Sequence, residues 1–211
     1  DNEQIKAIGM RAEVVNDDGK TIIMPGVPFR LTKTPGWVRT AAPLLAKRDL
    51  PAPWAARNIA RPTGQPRLTP GPLHGYTVLN AGTFVATPYA GFLLAELGAN
   101  VIKVEPLTGD PFRASAYACN RGMRSLAIDL QAPEGRDAFH RLTEISDVVI
   151  DGMRPGVMKK LGIDYDTLAK INPGIVTLSL SAYGEGGPDS MLPGVDMVLQ
   201  AQSGMMSGQG G

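Results

Sequence analysis

Three segments of this 211-residue chain gather the residue types that grip a phosphorylated ligand. In the first, Gly109-Asp110-Pro111-Phe112-Arg113 leads to Asn120-Arg121-Gly122-Met123-Arg124-Ser125, so three arginines fall within twelve residues, beside glycines that admit close backbone approach. Guanidinium groups match phosphate oxygens in pairs; the same cluster also suits a solvated turn closed by surface salt bridges. The second segment, Asp151 to Lys160, adds Arg154, Lys159 and Lys160, with Met153 available to lie against a planar base. It reads equally as a basic helix start facing water. The third, Asn80 to Thr87, runs into a helical pattern, where free N–H groups and the helix dipole can seat an anion. A capped helix start without a ligand has the same sequence. Neither a G-x-G-x-x-G fingerprint nor a Walker pattern occurs.

Other reactive residue types are sparse. Cys119 is the single cysteine, which excludes a disulfide framework and a multi-thiolate metal site within one chain. No histidine lies near it in sequence to activate it, so it reads as a small buried apolar residue. With only His74 and His140, no metal centre is expected. His140 falls in an amphipathic helix and reads as structural, and Asp196 reads as the cap of the apolar helix that follows it.

These segments need elements to hold them. After His74, short apolar runs alternate with helical patterns. Tyr76–Leu79, Val101–Val104, Leu126–Ile128, Asp147–Ile150 and Ile175–Leu180 read as strands. Helices are expected over Tyr89–Leu97, with Thr87 as cap and Pro88 in the first turn, and from Pro133, with Ala138, Leu142 and Ile145 on one stripe. Another follows Asp164 and ends at Asn172-Pro173-Gly174. Strand, helix, strand repeated with apolar strands predicts an α/β fold: a parallel sheet covered by helices. Ligands in such sheets sit beyond the carboxyl ends of the strands, which points to the loops 80–87, 105–124, 151–160 and 181–193.

Composition fits a folded chain, with 43% hydrophobic and 19% charged residues. Lys plus Arg (21) nearly cancels Asp plus Glu (20), so neither nucleic acid nor a membrane surface is expected as partner. No apolar run reaches the length of a membrane span, and no charged-then-apolar leader is present, so a cytoplasmic location is expected. Seven prolines fall between Pro43 and Pro72, which precludes a regular helix or central strand there. Residues 1–72 carry 11 Lys/Arg against 6 Asp/Glu, whereas 73–211 carry 10 against 14. Two pieces of different character joined by a linker are expected.

The blocks Leu97-Gly98-Ala99-Asn100-Val101-Ile102-Lys103-Val104-Glu105-Pro106 and Gly109–Arg113, Asn120 through Leu130, and Arg154-Pro155-Gly156 with Leu161-Gly162 and Asn172-Pro173, occur in one order with Ser181–Pro188 and Gln200-Ala201-Gln202-Ser203-Gly204. As an ordered set over residues 73–211 they resemble the amino-terminal half of the family III CoA-transferases. The resemblance implies a Rossmann-like large domain, an acyl-CoA and a carboxylic acid as substrates, and no tightly bound cofactor. It also implies an aspartate nucleophile that passes through an aspartyl-CoA thioester, with glycine-loop N–H groups stabilising the oxyanions. By position, the CoA contacts implied are Val85, Ala86, Asn120, Arg121, Arg124, Gly152, Met153 and Lys160. Pro106 stands where some members place an arginine, and Gly152-Met153 replaces a frequent Asn-Phe pair. The nucleophile is expected beyond Gly211, leaving the catalytic residue unassigned. The racemase branch carries a histidine just before the aspartate aligned with Asp196; here that position is Val195, which favours transferase over α-methylacyl-CoA racemase.

Residues 1–45 resemble the carboxyl-terminal segment of the same family, through Asp17-Asp18-Gly19-Lys20, Pro25–Gly36 and Ala42-Pro43-Leu44-Leu45. The expectation is a central fragment of a tandem fusion: the end of one repeat (1–45), a linker (46–72), and the truncated start of the next (73–211). Such a fragment would by itself be inactive. The alternatives are a transferase coupled to a lyase step, a racemase-like isomerase and a non-catalytic CoA-binding module. Because family members interlock, a homodimer or a pseudo-dimer of fused repeats is expected.

Overall fold

The computed structural model describes residues 2–42, 71–114 and 117–210. The Pro-rich stretch expected to link the two pieces lies almost wholly outside them. The described residues form two compact units, 2–42 with 186–189, and 71–185 with 190–210.

In the first unit, helix α1 (Glu3–Ala7) is capped by the Asn2 side chain, which accepts from the N–H groups of Gln4 and Ile5. Strands β1 (Arg11–Val15) and β2 (Thr21–Pro25) pair as an antiparallel hairpin. Asn16 closes its turn by accepting from the N–H groups of Asp18 and Lys20. Gln4 is buried and is satisfied by residues 182 and 185 positions away: its amide donates to the Gly186 carbonyl (2.8 Å), and its carbonyl accepts from the Asp189 N–H (2.7 Å).

The second unit is the expected parallel sheet. Its elements in order are β3 (Thr77–Asn80), α2 (Ala86–Glu96), β4 (Asn100–Glu105), a 3-10 turn (Tyr117–Asn120), β5 (Arg124–Ala127), α3 (Pro133–Glu144), β6 (Val148–Asp151), α4 (Val157–Leu161), α5 (Tyr165–Ile171), β7 (Val176–Ser179), α6 (Asp196–Gln202) and α7 (Met205–Gly208). All ladders in the sheet are parallel, in the order β5-β4-β3-β6-β7. The period-two alternation of the strands sorts side chains to two faces. Leu79, Val104 and Val149 pack with Phe139 of α3 and Leu168 of α5, while Val78, Val101 and Ile150 pack with Leu94 and Ala95 of α2. Both faces of the central strands β3, β4 and β6 are thus apolar and covered, whereas Val176 and Leu178 of the edge strand β7 stay exposed.

Three local expectations are corrected. Helix α2 begins at Ala86 with Val85 as its N-cap residue, so Thr87 lies inside the first turn and caps nothing. Helix α6 likewise starts at Asp196 with Val195 before it; the Asp196 carboxylate accepts from the Gln200 side chain instead of capping. Ile145, placed on the apolar stripe of α3, is the residue after its last turn and is 70% exposed.

Phe139 is fully buried at the centre of the larger core cluster. Phe139→Ala should therefore cost about 3–5 kcal/mol, whereas Ile145→Ala should stay within about 0.5 kcal/mol of wild type. Urea unfolding followed by circular dichroism measures both.

Candidate functional site

The chain winds outward from β3 in one direction through β4 and β5, and from β6 in the other through β7. The connections leaving β3 and β6 therefore diverge to opposite faces, opening a crevice at their carboxyl ends. The strands are stitched together there by the Ala81 N–H donating to the Ile150 carbonyl (2.8 Å).

Two loops line this crevice. In the β3–α2 loop the buried Asn80 side chain accepts from the Gly82 N–H (3.1 Å) and donates to the Thr87 carbonyl (2.6 Å). The Thr87 side chain is buried against Gly82, where any Cβ would overlap it, and a Cβ on Gly152 would come within 3.0 Å of its hydroxyl. Gly82 is required by the Thr87 side chain of its own loop, and the close approach of Thr87 to Gly152 brings the β3–α2 and β6–α4 loops together. Phe84 adopts φ 71°, the single positive value at a non-glycine among the described residues.

In the β6–α4 loop, Asp151 at the end of β6 is 2% exposed. Its carboxylate accepts from the Met153 N–H (3.0 Å) and the Ser179 hydroxyl (2.6 Å). Burial raises this carboxyl above its ordinary value, and the two hydrogen bonds only partly oppose that.

The loop after β4 is tied down by charge. Lys103 and Asp110 form an ion pair of 2.6 Å with both side chains essentially unexposed, and Lys103 also donates to the Gly82 carbonyl (3.2 Å). Glu105 accepts from the Asp110 N–H (2.9 Å), the Ser125 hydroxyl and the Arg113 guanidinium. Burial alone would raise both carboxyls. The surrounding donors win, and Glu105 and Asp110 are held below the ordinary carboxylate range.

The expected site residues divide. Val85 and Ala86 start α2 next to Thr87, which meets Gly152 of the β6–α4 loop; Val85, Ala86 and Gly152 are exposed, while Met153 packs against the core cluster. Lys160 is exposed on α4, which leads out of the same loop. Asn120, Arg121 and Arg124 are not with them. Asn120 ends the 3-10 turn that packs against α2. Arg121 bonds Glu96 (3.2 Å) and covers the Phe92 ring, both toward the far end of α2. Arg124 opens β5 and reaches Asn100, the first residue of β4, at the amino edge of the sheet. Sequence reasoning missed Asp151 with Ser179 and Lys103 with Asp110. A carboxylate ending one apolar strand and a lysine interrupting another were the available signals. His140 is structural, its ring 2.9 Å from the Gly162 carbonyl. Among the described residues no cluster of three metal-ligating side chains occurs, and no helix is long and apolar enough to cross a membrane.

The larger unit is a doubly wound parallel α/β domain with its switch point between β3 and β6. Residues 73–211 match the CoA-transferase family III, and the chain belongs to that family. It is 38% identical over 150 residues to a probable fatty acyl-CoA transferase, Rv3272, of Mycobacterium tuberculosis, covering 65% of this chain and 38% of that protein. To the succinate–glutarate CoA-transferase of Agrobacterium fabrum it is 38% identical over 163 residues, covering 69% and 40%. The crystal structure of Rv3272 superposes with a TM-score of 0.62 at 40% identity, and that of a CAIB/BAIF family protein from Brucella suis with 0.62 at 35%. Each covers 65% of this chain and 40% of the other. The chain thus spans about two fifths of the length of these relatives.

Asp151 gives a pH test. Its folded carboxyl holds a proton to higher pH than the unfolded one. Its contribution to stability is therefore whole below the unfolded value and lost as pH rises through the raised folded value. Asp151→Asn keeps partners for Met153 and Ser179 without the charge. Its melting temperature should exceed that of wild type at pH 7–8, with the difference closing as pH falls below the ordinary aspartate value of 3.8; differential scanning fluorimetry across pH reads this.

Proposed function

We propose that this chain supplies the CoA-binding α/β part of an acyl-CoA:carboxylate CoA-transferase. The observation that carries the reading is the contact of Thr87, directly after Val85 and Ala86, with Gly152 where the β3–α2 and β6–α4 loops leave the sheet, within the stretch that matches the family. A CoA thioester lies with its diphosphate against the amino end of α2, where backbone N–H groups face outward. Lys160 pairs with a phosphate from the exposed face of α4. Arg121 and Arg124 contact CoA only if they leave Glu96 and Asn100, so they are secondary to this grip.

The transfer uses a carboxylate nucleophile outside these 211 residues. Its oxygen attacks the thioester carbonyl and expels CoA thiolate, giving an acyl-aspartyl anhydride. The thiolate then attacks the aspartyl carbonyl, releasing the first carboxylic acid and leaving an aspartyl-CoA thioester. The acceptor acid repeats the two steps in reverse. What the present residues contribute is binding and orientation of CoA. The relatives that name a carboxylic acid support an acid as acceptor, and family members named as subunits support an assembly of more than one chain.

Titration calorimetry of the chain with CoA and acetyl-CoA tests the binding role, and saturable binding of both is expected. Lys160→Ala should weaken CoA about tenfold, the 1.4 kcal/mol expected of one charged hydrogen bond. Absence of any heat with either ligand removes the assignment. Hydroxylamine trapping of an acyl-aspartate in the whole protein tests the covalent route, and its absence during turnover would remove the aspartyl intermediate.

A further inference from the structure

The buried ion pair beneath the crevice does more than neutralise itself. Lys103 projects from between apolar neighbours in β4, and its ammonium joins two loops: the β3–α2 loop through the Gly82 carbonyl and the β4 loop through Asp110. The Asp110 carboxylate in turn accepts the N–H groups of Phe112 (2.8 Å) and Phe84. Phe84 is the residue with φ 71°, and its ring lies against that of Phe112. A non-glycine persists in the left-handed region only where its surroundings over-determine it. Here the carboxylate of Asp110 grips its N–H, the aromatic partner meets its ring, and Lys103 fixes Gly82 two residues earlier. Val85 and Ala86, which begin α2, follow directly.

We propose that Lys103 and Asp110 are a positioning pair that holds the β3–α2 loop, through Phe84, in the one conformation that presents Val85 and Ala86 to a CoA thioester. The ligand named here rests on the CoA reading above; the fixing of the loop does not. Stability alone is a poor reason for such a pair, since well-packed apolar replacements of buried ion pairs are often neutral or stabilising. An apolar replacement could not link Gly82, Phe84 and Phe112 to one point.

The double variant K103M/D110N removes both charges at nearly constant volume, whereas K103M alone would strand a buried carboxylate and serves as the misfolding control. Amide hydrogen exchange by mass spectrometry and CoA titration are measured on the double variant and wild type. The expected result is at least tenfold faster exchange in residues 82–87 and 109–113, unchanged protection in β3, β4 and β6, and a CoA Kd raised about tenfold. Unchanged exchange in the two loops, or loss of protection throughout the sheet, overturns the positioning role. Loosened loops with an unchanged Kd overturn its link to the ligand. If wild type binds no CoA, the CoA reading falls by itself, and the exchange measurement still decides whether the pair fixes the loop.

Discussion

The direct pairing of β3 with β6 is the constraint from which the rest of the larger unit follows. Val78, Leu79 and Asn80 stand in register with Val148, Val149 and Ile150, although β4 and β5 lie between them in sequence. Each parallel connection must return along a covered face with a fixed hand. The two strands therefore send their crossovers to opposite faces, α2 to one and α4 and α5 to the other. The two connections leave the sheet toward opposite faces, and they touch near their start through Thr87 and Gly152. A binding edge arises here from topology before any particular side chain is considered.

Side chains then determine how narrow that edge is. Thr87 occupies the space that two glycines leave open, and the polar groups beneath the loops are all claimed: Asn80 by backbone, Asp151 by Ser179 and Met153, Lys103 by Asp110 and Gly82. The two buried carboxyls are shifted in opposite senses: the Lys103 ammonium and backbone donors hold Asp110 below its ordinary value, while burial, with the Glu185 charge, raises Asp151.

The sheet was legible because strands buried on both faces must be written as short apolar runs. Val101-Ile102-Lys103-Val104 and Val148-Val149-Ile150 could be read directly, as could the Gly-rich loops that follow them. Other features depend on space rather than pattern. Thr87 looks like a cap, yet its hydroxyl is needed between Gly82 and Gly152. Residues 105–124 look like one loop at one edge, yet they span the sheet. A connection into a parallel strand must travel back to the amino edge before β5 begins, and that journey carries Arg121 and Arg124 away from the crevice. Sequence order alone hides it; the geometry of the crossover requires it.

Gln4 binds two backbone groups more than 180 residues ahead of it. The chain is made from its amino end, and the hairpin of β1 and β2 is finished long before those partners exist. Until residues 186–189 have been synthesised, the Gln4 amide lacks these two backbone partners. The hairpin unit precedes β3 in the sequence, yet it is completed by a segment that follows β7.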